Sequence, residues 1–363
     1  MSIYKGTLVF FYPGGRIARN KVQHYSGLTQ AYYALALFEA YQVTQIAEIL
    51  TASRQVYESL KVPSADGGVL FSGRNGVTIA EVPQEPGSWI LNGWLSVLVA
   101  LEKYAEATGS ADAKELLKEN LESLRRKLPL YDNPRYQISN YGLTGFAYFR
   151  LLFSEPEPIE RVGDISYEIP GEGRFPLKAG PAGRWEYFQF PGQLDVNGKP
   201  SGTAVKLNLV VSRASGDLEN VLWFTTTARK DSKVTLEGDY LPTKSAATTG
   251  KWKRVGALEI KSGTQLNRLS IPWNALTLSA IYPTNFVKKI DGRNVNVYHA
   301  VHINQLLLLY RKFGYAEFRD HAERWTRYVC SWQAMKIYQG LVARRIGPVD
   351  VEKVGADPAA NCP

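Results

Sequence analysis

Two of the chain's four histidines stand in one stretch, Tyr298-His-Ala-Val-His-Ile-Asn-Gln-Leu-Leu-Leu-Leu309, together with Asn304 and Gln305. So many polar groups at the head of an apolar run need partners for their donors and acceptors. A helix beginning near Tyr298 sets Tyr298, His302 and Gln305 on one face, with Leu306 and Leu309 anchoring it in a core. Two readings satisfy that pattern. The polar head can meet a sugar ring or polysaccharide, or it can be a capped helix start whose His and Asn side chains serve nearby backbone groups. His299 and His302, three apart, could also begin a metal site, but no third ligand follows at a suitable spacing and no metal is expected.

These side chains need elements to hold them. Helices are expected at about 28–41, 44–60, 89–108 and 111–128, the last with Leu116, Leu117, Leu121, Leu124 and Leu128 at helical spacing and Pro129 as its stop. Ser88 is the expected N-cap of the third helix and Gly109 its end. Between the second and third, Asn75-Gly76 joins two short apolar runs, a strong hairpin signal. Two further helices are expected at about 299–313 and 315–343, divided by Gly314. From about 160 to 278 the pattern changes to short alternating stretches between turns, such as Val205-Lys-Leu-Asn-Leu-Val-Val211 and Val221-Leu-Trp-Phe-Thr-Thr-Thr227. That spacing argues for a β-sandwich, whose Trp185, Tyr187 and Trp223 could contact glycan or fill its core.

At 363 residues the chain can bury a large core and hold two domains. Its 45% hydrophobic and 21% charged residues are those of a folded protein. A formal charge of +9 favours polyanions: nucleic acid, an acidic membrane or an acidic polysaccharide. No zinc-finger spacing, RNP pattern or long Lys/Arg run supports nucleic acid. Phosphate-loop, dinucleotide and Gly-x-Ser-x-Gly motifs are missing. The first apolar run is too short for a signal peptide, and no segment approaches the ~18 apolar residues of a membrane span. The expectation is a soluble, cytoplasmic protein. Of the two cysteines, Cys330 is expected to be a free buried thiol and Cys362 to lie in a frayed tail, with a disulfide as the alternative.

Three ordered motifs carry a resemblance. Tyr298-His-x-x-His-Ile-Asn-Gln-Leu-x-Leu-Leu309, Glu81-Val-Pro-Gln-Glu-Pro-Gly-Ser-Trp-Ile-Leu-Asn-Gly-Trp94 and Leu128-Pro-Leu-Tyr-Asp132 resemble the C-terminal domain of the D-glucuronyl C5-epimerases, in a bacterial-type relative. Gly27-Leu-Thr-Gln30 and Arg324-Trp-Thr-Arg-Tyr328 are weaker echoes. Taken with the strand pattern, the expectation is an α+β protein: a partial (α/α) toroid-like helical domain over 1–155 and 281–347, an inserted antiparallel β-sandwich over 156–280, and a tail over 348–363. In the family the β-domains precede the helical domain, so the insertion departs from that layout.

The implied reaction is C5 epimerisation of a uronic acid within an acidic polysaccharide, from D-glucuronate to L-iduronate type. It removes a C–H beside a carboxylate and returns a proton on the opposite face, which takes two acid/base groups and no cofactor. By resemblance Glu81 is the catalytic Glu and Tyr298 a catalytic Tyr. Tyr298 acting as a base would need its pKa lowered by nearby cations, for which His299, His302 or an arginine are candidates. Asn92, His299, His302, Asn304, Tyr131, Tyr136, Tyr25 and Gln30 become expected substrate contacts; without the resemblance Glu81 merely ends a hairpin, and Tyr131 and Tyr25 sit at a turn and a helix entry. The family forms dimers, so a homodimer is implied as well. Two positions depart from the family: Val82 replaces a second catalytic Tyr, and the family's Tyr-Asp-Leu-Arg-His is represented by Arg135-Tyr-Gln-Ile-Ser-Asn-Tyr141, where Tyr136 and Tyr141 are candidates to replace the lost groups. A lyase using the same deprotonation, or a non-catalytic polysaccharide-binding protein of exopolysaccharide biosynthesis, are the alternatives.

Overall fold

The computed structural model describes residues 2–12, 24–73, 76–83, 86–179, 188–189, 193–239, 252–271, 288–290, 293–332 and 334–335. These fall into two compact units, one ending at Leu143 and resuming after residue 282, the other beginning at Thr144.

The first unit opens with short strands β1 (Ser2–Tyr4), β2 (Thr7–Val9), β3 (Phe11–Tyr12) and β4 (His24–Tyr25). Helices α1 (Gly27–Thr44) and α2 (Ala47–Glu58) follow, then the hairpin β5 (Leu70–Gly73) and β6 (Gly76–Ile79). Next come α3 (Leu91–Thr108), α4 (Ala111–Tyr131) and a two-residue-per-strand hairpin, β7 (Asp132–Asn133) with β8 (Ile138–Ser139). After the second unit, the hairpin β19 (Lys288–Ile290) and β20 (Arg293–Val295) leads into α5 (Val297–Phe313) and α6 (Ala316–Ser331).

α3 is the hub. It packs against α1, α4 and α5, so apolar residues on nearly every side are buried, among them Trp94, Leu95, Leu98, Leu101 and Tyr104. The outer helices bury single stripes: Leu117, Leu121 and Leu124 on α4, Phe318, Ala322 and Trp325 on α6. Ser110 caps α4 by accepting from the Ala113 N–H at 3.2 Å, and Gly109 and Gly314 end α3 and α5 at φ of 69° and 72°.

Two boundaries differ from expectation. α3 starts at Leu91 rather than after Ser88, because Trp89 takes φ 51° and turns the chain before the helix. α4 runs through Pro129 to Tyr131; a proline in the last turn removes only one N–H bond, and the Asp132 N–H closes that turn onto the Pro129 carbonyl. The thiol expectation is also corrected: Cys330 is disulfide-bonded. Cys362 lies outside the described residues.

The second unit carries β9 (Thr144–Phe153), β10 (Ile159–Ile169), β11 (Gly173–Pro176), β12 (Lys178–Ala179), β13 (Phe188–Gln189), β14 (Ala204–Ser212), β15 (Asn220–Ala228), β16 (Ser232–Asp239), β17 (Trp252–Ile260) and β18 (Gly263–Ile271). One sheet has the order β12-β13-β14-β9-β16-β17, the other β11-β10-β15-β18. Pairings are antiparallel apart from β12 with β13. Phe149, Leu151, Leu207, Leu209 and Leu236 from the first sheet share one core with Val162, Tyr167, Leu222, Phe224 and Leu269 from the second. This is sheet-on-sheet packing, with alternate residues turned in. The strand region begins at Thr144, not near 156. β9 pairs with both β14 and β16 and turns Phe149, Leu151 and Phe153 inward; Tyr148 and Leu152 on its other side are also apolar, so the sequence hides the alternation that the burial shows.

Candidate functional site

Glu81 sits two residues after β6, in the turn that precedes Pro83. Three contacts fix it there. Its carbonyl accepts from the Gly27 N–H at 3.1 Å, at the first turn of α1. Its side chain lies against Gly93 in α3: a Cβ on Gly93 would come 2.6 Å from the Glu81 Cβ and 2.8 Å from its Cδ, closer than any packed carbon tolerates. Further back, Asn120 on α4 accepts from the Ile79 N–H at 2.9 Å and from Trp94 Nε1 at 3.1 Å, and donates to the Leu116 carbonyl at 2.9 Å. One buried amide thus ties β6, α3 and α4 together. The Leu-Asn-Gly spacing in α3 is explained by this contact, since Gly93 makes room for the carboxylate.

Tyr298 is on the first turn of α5. Asn296 caps that helix by accepting from the His299 N–H at 3.0 Å. The Tyr298 ring meets Tyr141 edge-on, centroids 4.7 Å apart at 62°, and the two phenols are electrostatically coupled. Tyr141 is held by its own backbone, whose carbonyl accepts from the Leu91 N–H at 2.9 Å. Next to it Gly142 approaches the Ser88 carbonyl so closely that a Cβ would lie 2.7 Å from it.

The electrostatics join these groups. Burial raises the Tyr298 phenol above its ordinary value, and the negative charge of Glu81 raises it further. Tyr141 is raised by burial first, then by Glu81 and Tyr298. Both are therefore neutral proton donors at neutral pH. The lowered pKa that Tyr298 would need to act as a base is not what its surroundings produce: burial and the Glu81 carboxylate both raise it. Glu81, Tyr141 and Tyr298 form one cluster of a carboxylate and two coupled phenols, which can take a proton on one side and give one on another.

Both ring nitrogens of His299 are hydrogen-bonded inside the fold, whereas His302 is bonded through Nδ1 and its buried Nε2 has no partner among the described residues. His299 is 1% exposed and His302 fully buried. The Ser139 N–H donates to His299 Nδ1 at 2.9 Å, and His299 Nε2 donates to the Trp325 carbonyl at 2.9 Å, which fixes its tautomer. Ser139 Oγ lies 2.7 Å from Nδ1 of both histidines. Burial depresses His299 to about 4 and pushes His302 well below its ordinary value. Together they clamp β8 to the start of α5, and so set Tyr141 and Tyr298 beside each other.

The remaining expected contacts divide. Asn92 precedes Gly93, and its Oδ1 is buried with no hydrogen-bond partner. Asn304 is half-buried on α5, while Gln305 donates to Ser96 Oγ at 2.6 Å across to α3. Tyr25, Gln30 and Tyr131 are fully buried. Tyr25 donates to the Ser59 carbonyl and Tyr131 to the Trp89 carbonyl, at 2.9 and 2.8 Å. Gln30 accepts from Phe10 N–H and donates to the Leu8 carbonyl and Ser59 Oγ. Tyr136 lies in the β7–β8 turn, its N–H on Asn133 Oδ1 and the Arg135 guanidinium 5.7 Å from its ring. Tyr141, rather than Tyr136, is the residue against Tyr298. Leu128-Pro-Leu-Tyr-Asp132 and Arg324-Trp-Thr-Arg-Tyr328 prove to be two halves of one clasp: Asp132 accepts from Arg324 at 2.9 Å, Trp325 Nε1 at 3.0 Å and Tyr328 at 3.4 Å. Trp185 and Tyr187 lie outside the described residues.

The model of the D-glucuronyl C5-epimerase C-terminus matches residues 9–151. Over those residues the chain is similar to the C-terminal part of the D-glucuronyl C5-epimerases. A D-glucuronyl C5-epimerase of Caenorhabditis elegans is 28% identical over 120 residues, 30% of this chain and 20% of that protein. An uncharacterized protein of Methanocaldococcus jannaschii is 30% identical over 109 residues, 29% of this chain and 35% of that protein. The chain therefore matches about a third of one relative's length and a fifth of the other's. The family match contains Glu81, Asn92 and Tyr141 but not Tyr298, which the fold brings in from residues far downstream.

Proposed function

We propose that this protein is a uronic acid C5-epimerase, an isomerase acting on glucuronate units of an acidic polysaccharide of the heparosan or glycosaminoglycan type. The observation that carries this reading is the Glu81 carboxylate coupled to the Tyr141–Tyr298 phenol pair. In this mechanism Glu81 removes the C5 proton on one face of the sugar ring. The charge spreads onto the substrate carboxylate. A phenol on the other face then delivers a proton, inverting C5. Tyr141 supplies the second phenol that Val82 does not. Val82 is 2% exposed and apolar, so it contributes packing beneath the turn. Asn92 is the expected contact to a ring hydroxyl or the substrate carboxylate. The antiparallel pairs α1–α2, α3–α4 and α5–α6 belong, on this reading, to an (α/α) toroid.

Proton NMR of heparosan incubated with the protein in D2O tests it. The expected outcome is deuterium at C5 with a growing iduronate-type signal, lost in Glu81→Gln and in Tyr298→Phe. If no uronate polymer takes up deuterium at C5, the reading fails. One observation favours a lyase as the second reading: both phenols are held protonated, and a protonated phenol can also serve a leaving glycosidic oxygen. Ultraviolet absorbance of an unsaturated uronate would mark that outcome.

A further inference from the structure

The outward face of the β11-β10-β15-β18 sheet gathers cations, an indole and a concavity in one place. Strand register sets the rows. Arg268 stands opposite Trp223, and Ser166 opposite Trp223 on its other side. One row on, Arg174 faces Glu168. Arg161 stands on the same face, opposite Thr227. These positions alternate with the core residues Val162, Tyr167, Leu222, Phe224 and Leu269, so they point away from the sandwich interior.

The Arg174 guanidinium lies 4.9 Å from the Trp223 ring centroid and that of Arg268 5.9 Å. Trp223 Nε1 donates to Glu168 at 2.8 Å, which fixes the indole, and Arg174 Nε donates to Ser166 Oγ at 2.6 Å, which fixes the guanidinium. Arg161, Arg174 and Arg268 are exposed, and none of them pairs with a carboxylate among the described residues. A guanidinium held over an aromatic ring keeps N–H donors free, in a fork matched to a carboxylate.

Beside this row β10 is irregular: its register with β15 shifts between Gly163 and Ser166, and Asp164 takes φ 48°. Beside the bulge is an open depression of about 580 Å³ lined by Asp164, Ser166, Arg174, Pro176 and Leu177 among others. Bulges re-aim side chains, and the volume suits one or two sugar rings. Asp164 accepts from Thr225 Oγ1 at 3.0 Å and has a second oxygen left for hydroxyl donors.

We propose that this depression and the Arg174–Trp223–Arg268 row form a binding site for a uronate-bearing glycan chain. Arg174 pairs with a sugar carboxylate, Asp164 accepts from ring hydroxyls in the depression, Trp223 offers apolar surface to sugar C–H groups, and Arg268 takes the next carboxylate along the chain. The choice of a uronate rests on the proposed function; the site itself rests on its own geometry. Its role would be to retain polymer independently of the proton-transfer cluster.

The test is equilibrium binding of the full-length protein to a glucuronan oligosaccharide, with a cello-oligosaccharide of equal length as the uncharged control and a single-stranded oligonucleotide as a polyanion without sugar carboxylates. The expected result is preference for glucuronan over the neutral chain, with affinity cut about tenfold or more in Arg174→Gln/Arg268→Gln. Asp164→Ala, which removes the hydroxyl acceptor, should weaken binding of glucuronan and not of the oligonucleotide, for which losing a carboxylate is only favourable. These substitutions are on the surface, and a circular dichroism melt verifies that the fold is kept. Unchanged glucuronan affinity in the double variant overturns the site. So does an equal loss of glucuronan and oligonucleotide binding in the double variant, which would make the face a general polyanion patch. C5 exchange is read separately on the same samples. Exchange without dependence on the arginines sinks the site and leaves the epimerase standing; dependence without exchange does the reverse.

Discussion

Three side chains carry the chemistry proposed for this fold, and their neighbours decide what each can do. Tyr298 and Tyr141 are both held above the ordinary phenol range by burial and by Glu81. Their coupling is asymmetric: it retains the proton of Tyr141 and eases release from Tyr298. Tyr298 is thus the better proton donor, and Tyr141 the group that tunes it. Tyr141→Phe should slow C5 exchange by about 10²-fold, the lower end of a general-acid contribution, and Tyr298→Phe by about 10⁴-fold. Equal effects of the two would refute this division of roles. Gly93→Ala tests the other partner. The added methyl must displace the Glu81 side chain, so turnover should fall about 10²-fold with little change in substrate affinity, as expected for a misplaced reacting group. A variant with normal turnover would show that Glu81 need not occupy that position.

The elements that position these side chains were legible to different degrees. The Asn-Gly hairpin that delivers Glu81, the leucine stripe of α4 and the glycine ends of α3 and α5 are local signals, and each was found within a few residues of where sequence places it. The joints between elements were not legible. Asn120 reads as one polar residue in a leucine face, and Ser139 as one serine in a polar loop, yet each ties segments that are distant in sequence. Asn120's only signal is a hydrogen-bonding side chain at a position that should be apolar, and Ser139 carries none. Asn120→Ala removes the acceptor for two buried donors, Ile79 N–H and Trp94 Nε1, and should cost about 2–4 kcal/mol in urea unfolding. A loss under half a kilocalorie would mean that water replaces the amide.

The Ser139 joint makes a pH prediction. His299, depressed to about 4, stays neutral in the fold while the unfolded chain titrates near 6.5. Its contribution is therefore complete above about pH 6.5 and is lost as pH falls toward 4, by up to about 1.4 kcal/mol per pH unit. His302 shifts in the same direction, as does His321 on α6, while Asp132 opposes the shift at His299. His299→Gln should flatten the slope of stability between pH 6.5 and 4.5. An unchanged slope would assign the acid sensitivity to the other two histidines.

At the scale of the whole molecule, the helical and sandwich units divide between them the two features that point to an acidic glycan. The first holds the carboxylate–phenol cluster; the second holds the exposed arginine–tryptophan face. A net charge of +9 adds a long-range attraction to which both units contribute. Field and site make different demands on salt. The field is screened over a Debye length of about 10 Å at 0.1 M and acts mainly on association. Contacts at a built site act mainly on dissociation. Raising salt from about 0.02 M to 0.2 M should therefore slow association with glucuronan about tenfold or more while changing dissociation little. Arg174→Gln/Arg268→Gln should do the opposite, speeding dissociation with a smaller effect on association. Stopped-flow binding at two salt concentrations separates the rates. If salt and the double variant change the same rate to the same degree, the protein attracts its glycan by charge alone, and the ordered arrangement around Trp223 has no part in holding it.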